Sequence, residues 1–330
     1  MIDSTTETID NHLHGFPALD YPRHPAYQSS NMSARNRLKA LKEYWPDYWG
    51  GMYQYKENKK RLIKNTFAYR HHQAPDALER LENQGILVHQ VDPSYISALK
   101  EKLNKAIGYD MDTKEITNAE IRRYFHFQDE DPEIEAIQLE LLKRYDILEL
   151  ARYYTRAKEV GCAGWKLRLQ AHAAGFKTNL FDDIDYPTPV TNYLHVDSSY
   201  PRSMLKMVLY LGTVDSQNGP FCYVPGSQRL KEPVWRVIAR RVNHKNRMQR
   251  WDPDSRQKFM QLPKCFRHKA EFGNDVIAES DLHKLLLSHE KQITSDQGNF
   301  ILFDNSGMHR GGLIKSGKRI CLQWTINVIR

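Results

Sequence analysis

The sequence predicts an α+β fold with a mainly β core, in which helices come first and pack on an antiparallel β-sandwich or barrel. Three observations carry this. Up to about residue 160, apolar residues recur at helical spacing. After Gly161 apolar and polar residues alternate, as in a half-buried strand. The alternating runs are short and are separated by Pro, Gly, Asn and Asp, the residues that turn a chain.

Taken in order, residues 1–30 are broken by Gly15, Pro17, Pro22 and Pro25. Residues 33–65 have a helical pattern that the sequence expects to be interrupted near Pro46 and the Gly50–Gly51 pair. This stretch holds Tyr44, Trp45, Tyr48, Trp49, Tyr53 and Tyr55, beside Lys56, Lys59, Lys60 and Arg61. Such aromatics are packing anchors of an extension laid on the main domain; a binding surface is the other reading. The texture changes near Ala74. PDALERLENQG predicts a helix stopped at Gly85, where glycine can take the left-handed cap conformation. ILVHQV predicts a strand, and Asp92 and Ser94 can cap a following helix with Ile96, Leu99, Leu103 and Ile107 on one face. Residues 117–160 predict two further helical stretches, the second running from Glu133 to Lys158.

The strands expected next are WKLRLQAHA, NYLHVD, MLKMVLYLG, CYVPG, NFILFD and ICLQWTINVI. One long segment, about 230–294, interrupts them. It holds two expected helices, Val234–Val242 and Ser280–Ser288. An insertion of that length between strands is where substrate contacts tend to lie. The organisation expected is therefore an N-terminal extension over 1–74 and a main domain over 75–330 carrying an insertion.

Composition narrows the class. The chain has 330 residues, 40% hydrophobic and 27% charged, as in an ordinary globular protein. No apolar run approaches the length of a membrane span, and the first residues have no apolar core of a secretory signal. The four cysteines are scattered with no CxxC pair, so a reduced, cytoplasmic protein is expected. Net charge is +8, concentrated between Arg229 and Arg250. That cluster could attract an anionic small molecule or nucleic acid, or be a solvated helix face. No groove-reading motif supports nucleic acid, and a small anionic substrate accounts for the charge more simply. Oligomeric state is left open.

The chemistry gathers on a few residues. His195 and Asp197 are two apart, and on a strand such residues share a face and can share a metal. With a second histidine they would make the two-His, one-carboxylate set of the non-haem Fe(II) oxygenases. His309, in GNFILFDNSGMHRGG, is the candidate, delivered by a turn at the end of an apolar strand. Ten residues on, Arg319 opens the last strand, where a guanidinium can pair bidentately with a small dicarboxylate. Asp304 competes as a carboxylate ligand, with an Asx-type role ordering the loop as the plainer expectation. His172 is expected to be a pocket or packing residue, and Asn218–Gly219 a turn.

Three blocks in this order, HVD at 195–197, NGPFCYVPGSQ at 218–228, and GNFILFDNSGMHRGG with SGKR at 298–319, resemble the phytanoyl-CoA dioxygenase-like branch of the Fe(II)/2-oxoglutarate oxygenases. The segment LENQGILVHQVDPSYISALKEKL is similar to that family's opening, and the resemblance covers about 75–330 apart from the insertion. It implies a double-stranded β-helix, a jelly-roll or cupin-like barrel, buttressed by the N-terminal helices. It implies iron ligands His195, Asp197 and His309, a 2-oxoglutarate partner at Arg319, and O2 as the oxidant. Two positions depart from the family's pattern. Gln228 stands where a histidine is usual, and Gly311 where a serine often makes a second co-substrate contact. Tyr193, Gln170 and Arg168 are therefore candidates for that contact, and Arg310 and Arg229 for substrate binding.

Asp197 fills the position that a halogenase leaves to chloride, so hydroxylation or a related oxidation is expected. The competing classes are a metal- or ligand-binding barrel without turnover, which would have no need of Arg319, and a nucleic-acid-binding protein using the 229–250 cluster.

Overall fold

The structure is a computed structural model. It describes residues 33–65, 76–108, 110–112, 122–126, 132–171, 194–197, 200–230, 234–235, 237–238, 242, 281–296, 298–312 and 314–329. The elements are α1 (Ala34–Lys64), α2 (Asp76–Gln84), β1 (Ile86–Gln90), α3 (Pro93–Ile107), β2 (Arg122–His126), α4 (Pro132–Arg144), α5 (Ile147–Thr155), β3 (Val160–Ala171), β4 (Met204–Tyr210), β5 (Phe221–Tyr223), α6 (Asp281–His289), β6 (Lys291–Ile293), β7 (Asn299–Asp304), β8 (His309–Gly311) and β9 (Lys318–Val328).

Six strands form one antiparallel sheet in the order β1-β7-β4-β9-β3-β2, and three form a second in the order β6-β5-β8. Strand alternation gives the larger sheet two faces of different character. Leu205, Met207 and Leu209 of β4, Phe300 and Leu302 of β7, and Leu322, Trp324 and Ile326 of β9 belong to one core with the helices. That core takes in Leu81 of α2, Leu99 and Leu103 of α3, Leu141 of α4 and Tyr154 of α5. The intervening residues Val208, Tyr210, Ile301, Phe303 and Cys321 pack with Phe221 and Tyr223 of the smaller sheet. The layers are thus helices, large sheet, small sheet, and residues on the second face of β4 and β9 meet a site that lies between the sheets. Each fully buried leucine of the first core contributes about 1.5–3 kcal/mol of transfer free energy.

Most expected elements are present, with caps where the sequence places them. The helix α2 stops before Gly85, whose φ is 74°. An added Cβ there would lie 2.4 Å from the Tyr223 hydroxyl, so glycine is required on both counts. Asp92 caps α3 by accepting the Ser94 amide at 2.9 Å. The expected insertion helices appear at positions 234–235, 237–238 and 242, and as α6.

Four local expectations are corrected. The helix α1 runs unbroken through Pro46, Gly50 and Gly51. Tertiary contacts override the local break: Tyr44 and Tyr48 are buried, Tyr200 donates its hydroxyl to the Gly51 carbonyl at 2.7 Å, and a Cβ on Gly51 would touch Ile238 at 3.0 Å. The single helix expected from Glu133 to Lys158 is two, α4 and α5. They are divided at Asp146, which takes a left-handed φ of 49° that no helix accommodates. Part of the helical pattern expected over 117–160 is instead β2, an edge strand made by pairing with β3. Finally, NYLHVD is not a ladder strand over its described residues 194–197. It makes one bridge, His195 opposite His309.

Candidate metal centre

The two histidines are fixed by each other's backbone. The His195 amide donates to the His309 carbonyl at 3.0 Å, and the His309 amide returns the bond at 2.8 Å. The residue two past His195 is tied to the opposing turn, with the Asp197 amide donating to the Asn305 carbonyl at 3.2 Å. Both ligand-bearing segments are therefore clamped at the main chain before any metal is considered. The imidazole rings lie with centroids 4.5 Å apart. Asp197 Oδ1 lies 3.9 Å from His195 Nε2, and Oδ2 lies 3.6 Å from His309 Nε2. One donor atom from each of the three residues falls within 4.8 Å of the others, and among the described residues this is the ligating cluster that could hold a metal.

The surroundings suit a cation. His309 Nδ1 lies 2.8 Å from the Gly307 carbonyl, so Nδ1 carries the proton and Nε2 offers its lone pair to the site. Burial pushes the Asp197 carboxyl up, but Lys206, His309 and His195 together outweigh burial and hold it well below the usual carboxylate range. Lys206 is the direct partner, its ammonium hydrogen-bonded to Asp197 Oδ2. Two imidazole nitrogens and one ionised carboxylate are the donors that non-haem iron takes.

The turn that delivers His309 is held together by side chains around Asp304. Asp304, fully buried, accepts bonds from the Tyr154 hydroxyl at 2.6 Å, the Ser306 amide at 2.8 Å, the Ser306 hydroxyl at 2.7 Å and the Arg202 amide at 3.1 Å. This is the Asx-type ordering role expected of it. Burial raises the Asp304 carboxyl above its ordinary value, with these donors pulling the other way. Ser227, from the PGSQ stretch, accepts the Met308 amide at 2.7 Å. An added Cβ on Gly307 would fall 1.9 Å from the Tyr223 hydroxyl, so the turn closes against that ring only with glycine.

A pocket of about 550 Å³, counted with its mouth, opens onto His195, Asp197 and His309. Its lining includes Arg319, buried at the start of β9, and Gly311 at the position where a serine was looked for. Sequence reasoning did not single out Lys206, Tyr210 or Gln323, which also line it. The signal was present for the first two: MLKMVLYLG puts Lys206, Val208 and Tyr210 on one face of β4, and a lysine within an apolar strand is an anomaly to be explained.

The other sequence candidates fall as follows. Gln170 is registered opposite Arg319 and Arg168 opposite Cys321 on neighbouring strands, while their side chains, like Tyr193 and His172, lie outside the described residues. Arg310 is committed elsewhere: it forms a two-bond ion pair with Glu290, at 2.6 and 2.7 Å, which ties β8 to the end of the insertion. Arg229 is half-buried on the 3-10 turn Ser227–Arg229, and the pocket lining does not include it. Most of the 229–250 basic cluster lies outside the described residues. Among the described residues, no helix is long and apolar enough to cross a membrane.

No curated protein matches the chain. Among solved structures, that of EctD from S. alaskensis with 2-oxoglutarate and 5-hydroxyectoine is 16% identical. It covers 78% of this chain and 78% of its own, with a TM-score of 0.44. HygX from Streptomyces hygroscopicus with nickel and 2-oxoglutarate bound is 14% identical, covering 77% of this chain and 86% of its own, with a TM-score of 0.43. The epimerase SnoN in complex with Fe3+, alpha ketoglutarate and nogalamycin RO is 12% identical, covering 76% and 82%, with a TM-score of 0.45. The model of the phytanoyl-CoA dioxygenase (PhyH) family matches residues 184–321. That stretch holds His195, Asp197, His309 and Arg319 together, so the residues of the candidate metal centre fall within the part of the chain that is similar to the phytanoyl-CoA dioxygenase family.

Proposed function

We propose that the chain is a non-haem Fe(II)/2-oxoglutarate-dependent dioxygenase that hydroxylates a small anionic organic metabolite, on a double-stranded β-helix whose mouth lies between the two sheets. The observation that carries the reading is one pocket lined by His195, Asp197, His309 and Arg319 within a dioxygenase-family stretch.

His195 Nε2, His309 Nε2 and an Asp197 oxygen would hold the iron. Bound there, iron supplies Lewis acidity toward a 2-oxo acid and the means to use O2 as oxidant. The protein's own work is placement. The reciprocal His195–His309 backbone bonds and the Asp197–Asn305 bond keep the ligands from spreading. Arg319, buried and always charged, is suited to the far carboxylate of 2-oxoglutarate, where two parallel hydrogen bonds fix both position and direction. Phe221, Phe303 and Val208 give the pocket apolar walls that limit water beside the reacting carbon. Asp197, a carboxylate and not a small residue, favours hydroxylation over halogenation.

The test is succinate release from 2-oxoglutarate by the iron-loaded protein, screened over candidate metabolites, with His195→Ala as control. Metal-dependent release that His195→Ala abolishes is expected. Equal release from both proteins would sink the reading.

A further inference from the structure

Two cations line the metal pocket, Arg319 and Lys206, and the strand register sets their main chains well apart. On the paired strands Val208 faces Gln323 and Tyr210 faces Cys321. Lys206 is thus level with Thr325, six residues along β9 from Arg319, or roughly 20 Å between main chains. One short diacid held at the metal by its 2-oxo end has a single remaining carboxylate, and that can meet only one of these cations. Arg319 is buried; Lys206 is beside Asp197, with about a fifth of its side chain exposed.

In the protein alone, Lys206 and Asp197 neutralise each other. A dication held by Asp197 takes over that carboxylate and repels the ammonium next to it. Asp197 is the acidic residue among those that line the pocket. Counting it, a metal dication, doubly charged 2-oxoglutarate, Arg319 and Lys206, one positive charge is left over, and it belongs to Lys206. A largely buried ammonium without a counter-ion is costly, so the loaded pocket would favour one further anion beside Lys206.

Resting on the oxygenase reading, we propose that Lys206 is the specificity-determining residue that anchors an acidic group of the substrate, a carboxylate, sulfate or phosphate, beside the metal. The substrate then presents to the iron the carbon adjoining that acidic group. Neutral analogues of the same shape leave Lys206 uncompensated and are rejected.

The test uses the full-length protein loaded with Co(II) and saturating 2-oxoglutarate, and follows the visible Co(II) absorption. Acetate, sulfate and inorganic phosphate are titrated separately as probes, so that the three arms show which acid is preferred. A saturable spectral change is expected for at least one. Lys206→Met should weaken it by about 10- to 100-fold, the loss of one charge-assisted hydrogen bond, and Lys206→Arg should restore most of it. Equal probe affinity in wild type and Lys206→Met would overturn the proposal, as would the absence of any response in loaded wild type. Should Lys206→Met fail to fold, Lys206→Gln takes its place with the same criterion. Failure of wild type to bind Co(II) or 2-oxoglutarate at the outset, seen before any probe is added, would overturn the oxygenase reading itself.

Discussion

The Tyr154 hydroxyl donates to Asp304 at 2.6 Å, joining α5 to the end of β7 across 150 residues of chain. The bond is fully buried, and the Arg202 guanidinium lies 5.0 Å above the Tyr154 ring. Tyr154→Phe removes one of four donors to a fully buried carboxyl. Expected is a loss of about 1–3 kcal/mol in urea unfolding. Metal affinity should also fall, because the turn ordered by Asp304 carries His309.

Arg319→Ala separates the co-substrate from the metal. The half-saturating concentration of 2-oxoglutarate should rise about 10- to 100-fold, while metal binding followed by calorimetry stays near wild type. Arg319→Lys should recover only part of the loss, since an ammonium cannot make the two parallel bonds of a guanidinium. An unchanged 2-oxoglutarate requirement would move the carboxylate site away from Arg319.

Arg310 was a sequence candidate for substrate binding, and its pairing with Glu290 gives it a different expected behaviour. The Glu290 side chain is only 3% exposed, so Arg310→Met strands a buried carboxylate. The cost should be about 3–5 kcal/mol, and the double variant Arg310→Met with Glu290→Leu should regain much of it. Denaturant unfolding of the three proteins checks this. A large rise in substrate KM from Arg310→Met, with stability intact, would return Arg310 to the binding site.

The Cys222 thiol is pushed up to about 12, first by burial and then by Glu290 beside it. At pH 8 it is therefore protonated and unreactive. Iodoacetamide at pH 8 should label Cys222 only after unfolding, whereas Cys162, which is partly exposed, should react in the native protein. Peptide mass mapping distinguishes the two. Labelling of Cys222 in the native state would mean that the β5–β8 region opens readily.

How much of this was legible follows from the range of each interaction. His195 and Asp197 could be paired because two residues on an extended segment share a side whatever the rest of the chain does. The Asx role of Asp304 was legible for the same reason, since its partner Ser306 is two residues away. The caps at Gly85 and Asp92 are equally local. What local pattern could not reveal was set at long range. Continuity of α1 through Pro46 depends on Tyr200 and Ile238, and β2 exists by pairing with β3. Lys206 was missed because its partner, Asp197, lies on a segment whose approach to β4 is decided by the tertiary fold.

The strand order has a consequence for anyone wishing to transplant this chemistry. All the candidate ligands and Arg319 lie within residues 184–321, yet β7 is flanked by β1 and β9 by β3, both drawn from before that stretch. Cut out by itself, the stretch would leave β7 without β1 on one side and would stop four residues into β9, so β4 would lose most of its partner as well; both would be raw sheet margins, an invitation to pair with other chains. It would also lose the Tyr154 hydroxyl that steadies the His309 turn. The smallest portable form of the site is therefore larger than the family match and must reach back at least to β1.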